Sequence, residues 1–209
     1  SEGYIFHCIT SLSTDEYALT KARQENILRN AKLNNWTVIR PYITYSETRL
    51  QLGVLEKEDW LYRALKGRTI VFSKDLFTKL TNLTYGLDVS NAISKIIGKK
   101  EALATEYHIT NRQSIYWKEV LNIYLDVLEN TLGYRPKVLL QDLPEFFKHH
   151  SAKYQVIYDR LYDRQFDNDK ISKFVKHKEF IEIEIGLKKC LNQFLKNSKF
   201  NYLDWRKEA

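Results

Sequence analysis

The stretch from Ser13 to Arg40 constrains the fold of this chain more than any other. Ser13 can cap a helix, and Glu16, three residues on, completes a capping box. No Gly or Pro follows until Pro41, and Glu25 with Arg29 makes a favourable i,i+4 pair. The helix is expected to run to about Leu33. Asn34-Asn35 then turns the chain into residues 36–40, a short run of β-formers ended by Pro41. Before the helix, residues 4–9 form another apolar run that reads as a buried parallel strand. Helix followed by strand in so short a space is half of a βαβ unit, so the two strands are expected to be parallel. Side chains just past the carboxyl end of such a strand face the ligand crevice of an open sheet, so Pro41, Tyr42, Thr44 and Tyr45 are cofactor- or substrate-side candidates.

On that helix Tyr17 and Lys21 lie one turn apart and point the same way. A phenol beside a held ammonium is a chemical device, because the positive charge favours the phenolate. The pair can pass a proton to or from an alcohol or sugar oxygen. The spacing alone is weak: with 14 Tyr in a lysine-rich chain such pairs arise by chance, and a second one, Tyr62 with Lys66, does occur. The competing reading of Tyr17 and Lys21 is a solvated helix face. What favours chemistry is context, a strand before and after a capped helix.

The rest of the chain continues to mix helix and strand. Residues 46–83 read as an excursion from the sheet, with a helix over 56–66 closed by Gly67 and a short strand over 69–72; Tyr62 and Lys66 belong to that outlying helix. Asp88 is expected to cap a helix reaching Ile97. A strand over 107–110 is followed by a helix over 116–131 closed by Gly133. Residues 138–140 are apolar, and Leu143-Pro144-Glu145 opens a helix ending near His150. An amphipathic helix over 181–194 ends the domain, and the tail from Asn201 is expected to be loosely held.

Composition excludes several classes. A chain of 209 residues, 44% hydrophobic and 13% aromatic, can bury a proper core. Cys8 and Cys190 lie far apart, which suits a reducing compartment without a disulfide framework. Neither cysteine has the neighbours of a metal site, and the adjacent His149 and His150 read as helix surface. No apolar run approaches the roughly 20 residues that span a bilayer, and the expectation is a cytoplasmic protein with no membrane partner. The net charge of +7 invites a nucleic-acid reading, but the basic residues are dispersed among 26 acids, so nucleic acid is the disfavoured partner. The seven glycines are scattered, and no two are close enough for G-x-G-x-x-G or a phosphate loop.

Tyr17-Ala-Leu-Thr-Lys21-Ala-Arg-Gln-Glu25, followed by Val38-Ile39-Arg40-Pro41-Tyr42-Ile43-Thr44-Tyr45, resembles the extended short-chain dehydrogenase/reductase family of NAD(P)-dependent epimerases, dehydratases and reductases of sugar nucleotides. Leu65-Lys66-Gly67-Arg68, Thr84-Tyr85-Gly86-Leu87-Asp88-Val89, Glu106-Tyr107-His108-Ile109-Thr110 and Phe166-Asp167-Asn168-Asp169-Lys170-Ile171 fit in the same order. The resemblance implies an α/β fold, the C-terminal part of a doubly wound, Rossmann-like parallel sheet with a smaller mixed α/β substrate-binding domain. It places residues 1–46 and 84–111 in the dinucleotide-binding part and residues 47–83 and 112–209 in the substrate-binding part.

It also implies roles. Tyr17 and Lys21 would be the acid–base pair, with Lys21 also holding the nicotinamide ribose of NAD or NADP beside Pro41, Tyr42 and Thr44. A hydroxyl at the end of the first strand, Thr10 or Ser11, would meet the reacting oxygen, although the family usually spends some twenty residues between that hydroxyl and the tyrosine. Tyr45, Arg49 and Leu52 would face a nucleotide-sugar substrate. The family has Gly after the second aromatic, where this chain has Ser46. A C-terminal arginine, Arg164 or Arg160, would take the diphosphate through bidentate bonds, the alternative being a surface salt bridge to Asp159 or Asp163. The Gly-rich cofactor turn of the family lies upstream of the tyrosine helix. The expectations are therefore a C-terminal portion of a longer enzyme, weak NAD(P) binding by these residues alone, and a homodimer through the Tyr17 helix. The alternative function is a non-catalytic member of the same fold that binds RNA or serves as a structural subunit.

Overall fold

A computed structural model describes residues 17–146 and 152–203. The first strand, Ser13 and Glu16, Cys8, His149 and His150 lie outside the described residues. The described part opens with α1, Tyr17–Arg29, shorter than expected at its C-terminal end, and continues into β1, Thr37–Arg40, and β2, Ile43–Tyr45. The helix α2, Lys57–Leu65, leads to β3, Ile70–Ser73, then α3, Lys74–Phe77, β4, Leu80–Thr81, and β5, Leu83–Tyr85. After these come α4, Gly86–Ile96, β6, Thr105–His108, β7, Ile115–Tyr116, α5, Trp117–Leu132, and β8, Val138–Gln141. Short helices α6, Leu143–Phe146, α7, Lys153–Gln155, and α8, Asp169–Ser172, precede the last long helix, α9, Ile183–Lys196.

The strands pair across long stretches of chain. β1 pairs with β6, β2 with β5 and β3 with β8, all parallel, while β4 and β7 pair antiparallel. Parallel pairing requires a crossover between partners, which α2, α4 and α5 supply. The α/β class expected from the sequence is the one observed.

Two apolar clusters hold these elements. The larger gathers β2, β3 and β5 with α2, α5 and α9. α5 contributes Trp117, Val120, Leu121, Tyr124 and Leu128, and α9 contributes Ile183, Leu187, Cys190, Leu191 and Phe194, at the three- and four-residue spacing of a buried helical stripe. Trp60 of α2 stacks on Tyr124 at 4.6 Å between ring centroids. Both rings bring their polar atoms to carbonyls, Trp60 Nε1 to Leu50 O and Tyr124 Oη to Gln51 O. Gly186 lets α9 approach β2, since a Cβ there would collide with the Tyr45 hydroxyl. Gly133 closes α5 at φ 77°, a left-handed turn that glycine adopts without strain.

The smaller cluster joins α4, β6 and α8 through Val89, Ala92, Ile96, Tyr107, Ile109, Ile171 and Val175. A buried amide network connects this cluster to β5. Asn168 Nδ2 donates to Thr110 O and Thr110 Oγ1 to Asn168 Oδ1, both at 2.9 Å, and Asn82 Nδ2 reaches Asn111 O at 2.7 Å. Asp88 is not the cap of its own helix: it sits in the first turn of α4, and its Oδ2 accepts the Ile181 N–H at 2.8 Å, fixing the approach to α9. No helix among the described residues is long and apolar enough to cross a membrane.

Candidate active site

Tyr17 and Lys21 come together as the helical spacing requires. The ammonium stands 5.5 Å from the centre of the phenol ring, within reach of a cation–π contact, and donates to Gln24 Oε1 at 3.2 Å. No side chain of α1 is buried, and Tyr17 is 72% exposed. Among the described residues Glu25 ties the helix to the sheet. Its carboxylate takes Arg40 Nε at 2.8 Å and Arg40 Nη2 in a fork, and Arg29 Nη2 at 2.9 Å. The Arg40 hydrogen bond holds the Glu25 carboxyl below its ordinary range, and the same bond raises the Arg40 guanidinium. Arg40 is the last residue of β1, so α1 is pinned at the strand's carboxyl end.

From there the chain leads directly to a cluster of charge. Pro41 is exposed, and Tyr42 is half-buried with its ring 4.9 Å from Phe166. Phe166 in turn lies 5.3 Å from the His108 ring, at the end of β6 opposite Arg40. Across 118 residues of sequence Arg160 Nη1 donates to the Tyr42 hydroxyl at 3.1 Å. The Tyr42 hydroxyl donates to Asp159 Oδ2 at 2.9 Å. Arg164 Nε reaches Asp159 Oδ1 at 2.7 Å, and Arg160 ion-pairs with the same carboxylate. Burial pulls the Arg160 guanidinium down from its ordinary value, with Arg164 and Arg49 pressing the same way and Tyr42 opposing. Burial likewise raises the Tyr42 phenol against the pull of Arg160 and Arg164.

Arg49 stands on the open side. Its guanidinium touches Thr44 Oγ1 at 3.5 Å and Glu56 Oε1 at 3.4 Å, and Gln51 Nε2 joins Glu56 Oε1 at 2.8 Å. The structure thus brings Tyr42, Thr44, Arg49, Arg160 and Arg164 into one neighbourhood built on β1, β2 and the segment after α7. Tyr45 and Leu52 are elsewhere: both are enclosed in the larger core, although the turn Leu52 opens presents the Gly53 carbonyl to Arg160 Nε at 3.4 Å. Thr10 and Ser11 lie outside the described residues. Of the two alternatives left open for Arg160 and Arg164, the ion pair is present, with Asp159 as the shared carboxylate; Asp163 instead accepts the Leu80 N–H. The roles of Glu56 and Gln51 were not evident in the sequence, whereas Asp159 was one of two salt-bridge partners it offered for the arginines. For Asp159 the signal was its place in the run Asp159-Arg160 and, four residues on, Arg164.

Chemically the site can hold a dianion. Guanidinium forks give charge-assisted, directional bonds to phosphate oxygens, and the position beyond parallel strand ends is where open α/β sheets bind ligands. No group of His, Cys, Asp and Glu among the described residues is arranged to hold a metal ion.

No protein-family model matches the sequence, and no curated protein does. Solved structures do match. They include the epimerase Mth375 of Methanothermobacter thermautotrophicus, at a TM-score of 0.63 and 11% identity over 86% of this chain and 48% of that one. UDP-glucuronic acid 4-epimerase from Bacillus cereus, solved with NAD, matches at 0.62 and 14% identity over 95% and 58%. dTDP-glucose 4,6-dehydratase from Bacillus anthracis, also solved with NAD, matches at 0.59 and 17% identity over 94% and 58%. The chain therefore spans about half the length of the structures it matches. At such identities the likeness is one of fold, and it carries the sequence-based resemblance that far: the described residues have the Rossmann-type α/β fold of the NAD-dependent epimerases and dehydratases.

Proposed function

We propose that this chain carries the acid–base pair and the diphosphate site of an NAD(P)-dependent epimerase, dehydratase or reductase acting on a nucleotide sugar, in surface polysaccharide or deoxysugar synthesis. The observation that carries the reading is the convergence of Arg49, Arg160 and Arg164 around Tyr42 and Thr44, just beyond the ends of β1 and β2. Three arginines so placed suit the diphosphate of a nucleotide sugar, with Arg49 on the solvent side and Arg160 deepest.

The residues present fit one part of the cofactor. Lys21 is solvent-facing, with Gln24 beside it, so its remaining N–H bonds can meet ribose hydroxyls, and Pro41 and Thr44 flank the same strand ends. The 209 residues hold no Gly-rich turn for the cofactor's pyrophosphate. When bound, NAD(P) supplies the hydride acceptor and donor. Tyr17 Oη takes the proton from the sugar hydroxyl as its carbon gives up a hydride, and returns it when the ketone is reduced. Lys21, one turn along α1 with its ammonium 5.5 Å from the ring centre, would hold the ribose beside Tyr17. Thr10 or Ser11 would hydrogen-bond the same sugar oxygen. A second copy of this chain is the proposed cover for α1, where Leu19 and Ile27 are exposed.

The test is product analysis of the enzyme with NAD or NADP and a panel of nucleotide sugars. A new epimer, a 4-keto-6-deoxy sugar or a reduced sugar is the expected result. No conversion of any nucleotide sugar, together with no binding of a nucleoside diphosphate, would remove the reading.

A further inference from the structure

Asp159 stands where Arg160, Arg164 and the Tyr42 hydroxyl converge. One carboxylate oxygen accepts Arg164 Nε at 2.7 Å, the other accepts the Tyr42 hydroxyl at 2.9 Å, and Arg160 ion-pairs with it. The Arg160 side chain is only 10% exposed. A guanidinium so far from water needs a counter-ion, and the chain supplies one from the preceding residue. The donors that grip this carboxylate are those that two phosphate oxygens would use.

We propose that Asp159 is the resident counter-ion of the anion site: it occupies the donors that a diphosphate must take over, and so limits the site's affinity. The inference rests on the reading of Arg160 and Arg164 as the diphosphate site. A carboxylate beside two arginines can act in two opposed ways. If it aims the guanidiniums, its removal weakens anion binding; if it competes with the anion, its removal strengthens binding. The geometry favours competition, because the aiming is done by other groups. Arg164 Nη2 is fixed by the Tyr158 carbonyl at 3.1 Å, Arg160 Nε by the Gly53 carbonyl at 3.4 Å, and Arg160 Nη1 by the Tyr42 hydroxyl at 3.1 Å. Asp159 is left holding the groups that face one another across the site. Glu56 plays no equivalent part, since it meets the exposed Arg49 at 3.4 Å.

Calorimetry of inorganic pyrophosphate binding to the 209-residue chain tests this with three variants, Asp159→Asn, Asp159→Glu and Arg160→Gln. Asp159→Asn is expected to bind about tenfold more tightly than the unaltered chain, because a unit charge within contact distance of the ligand has been removed from a partly buried site. Asp159→Glu keeps the charge and stays close to the unaltered chain, and Arg160→Gln loses binding. Equal or weaker binding by Asp159→Asn, with Arg160→Gln still deficient, overturns the counter-ion role and leaves the diphosphate site standing. Binding indifferent to Arg160→Gln overturns both. Asp159→Asn also leaves the Arg160 charge uncompensated, so its melting temperature falls in the absence of ligand. Pyrophosphate is then expected to restore more of that loss than it adds to the unaltered chain. A variant that unfolds and is not recovered by millimolar pyrophosphate counts against the proposal.

Discussion

α1 and α2 carry the same four-residue spacing, Tyr17 with Lys21 and Tyr62 with Lys66, and the side chains adopt almost the same local geometry. The ammonium lies 5.5 Å from the ring centre in the first pair and 5.7 Å in the second. The helices around them are opposites. α2 buries Trp60, Leu61 and Ala64 completely and sets Tyr62 edge-on to Phe200 at 5.4 Å. α1 has no fully buried side chain and, among the described residues, reaches the sheet through Glu25. A helix of that length is marginal in water on its own, so its persistence rests on tertiary contact rather than on propensity. The Tyr–Lys contact is therefore what any helix makes of that spacing. Chemistry has to be argued from what surrounds the pair, and α1, unlike α2, is joined to the sheet's carboxyl end two turns beyond its tyrosine, through Glu25 and Arg40.

The largest expected difference between the two pairs is catalytic. In the active enzyme Tyr17→Phe should leave folding intact and lower kcat about 10²–10⁴-fold, the usual worth of one acid–base group. Tyr62→Phe should change turnover only marginally. Steady-state assays of the two variants side by side decide the matter, and a crippled Tyr62→Phe with a normal Tyr17→Phe would reverse the assignment.

Stability should show the opposite ranking. Trp60 is enclosed between Tyr124 and the Leu50 carbonyl, and Trp60→Ala is expected to cost about 3–5 kcal/mol, the transfer loss plus the cavity. Leu19→Ala, on a helix with no fully buried side chain, should stay within about 0.5 kcal/mol of the unaltered chain at concentrations low enough to keep the chain monomeric. Urea denaturation of both variants measures this. A large loss at Leu19 would mean that α1 is covered in solution, as a dimer through this helix requires.

How much of this was legible in the sequence depends on the range of the interaction. Tyr17 with Lys21, Glu25 with Arg29, the Gly133 stop and the helical stripe of α9 are set within a turn or two, and they appear as spacing. The Glu25–Arg40 fork is readable only once helix and strand are known to be adjacent, since the residues lie 15 apart. The contact of Arg160 with Tyr42 spans 118 residues and has no local signature. Strand-end position made Tyr45 a ligand-facing candidate and the family resemblance made Leu52 one, and the pleat of β2 decides otherwise for Tyr45, turning its ring into the core with Ile43 while Thr44 faces out. Asn168 was visible as part of a motif, but its work in joining two apolar clusters through Thr110 was not. A cap for α4 was expected of Asp88 because Asp favours such positions; the carboxylate instead satisfies the Ile181 N–H, a partner 93 residues away.

The smallest effect concerns pH and tests the attachment of α1 most directly. Hydrogen bonding to Arg40 lowers the Glu25 pKa below its ordinary value in the folded chain. A depressed carboxyl contributes stability above its unfolded value, near 4.3, and loses it as pH falls through the folded value. The pair is partly exposed, with side chains 22% and 31% accessible, so the contribution is about 1 kcal/mol at most. α2 has no such dependence on Glu25, because Trp60, Leu61 and Ala64 hold it by apolar burial. On acidification below about pH 4, amide hydrogen exchange should therefore rise in α1 while α2 stays protected. Glu25→Gln should abolish the pH-dependent part of that difference and leave α1 loosely held at neutral pH. If α1 and α2 lose protection together in the unaltered chain, the Glu25–Arg40 fork is not what holds α1 to the sheet.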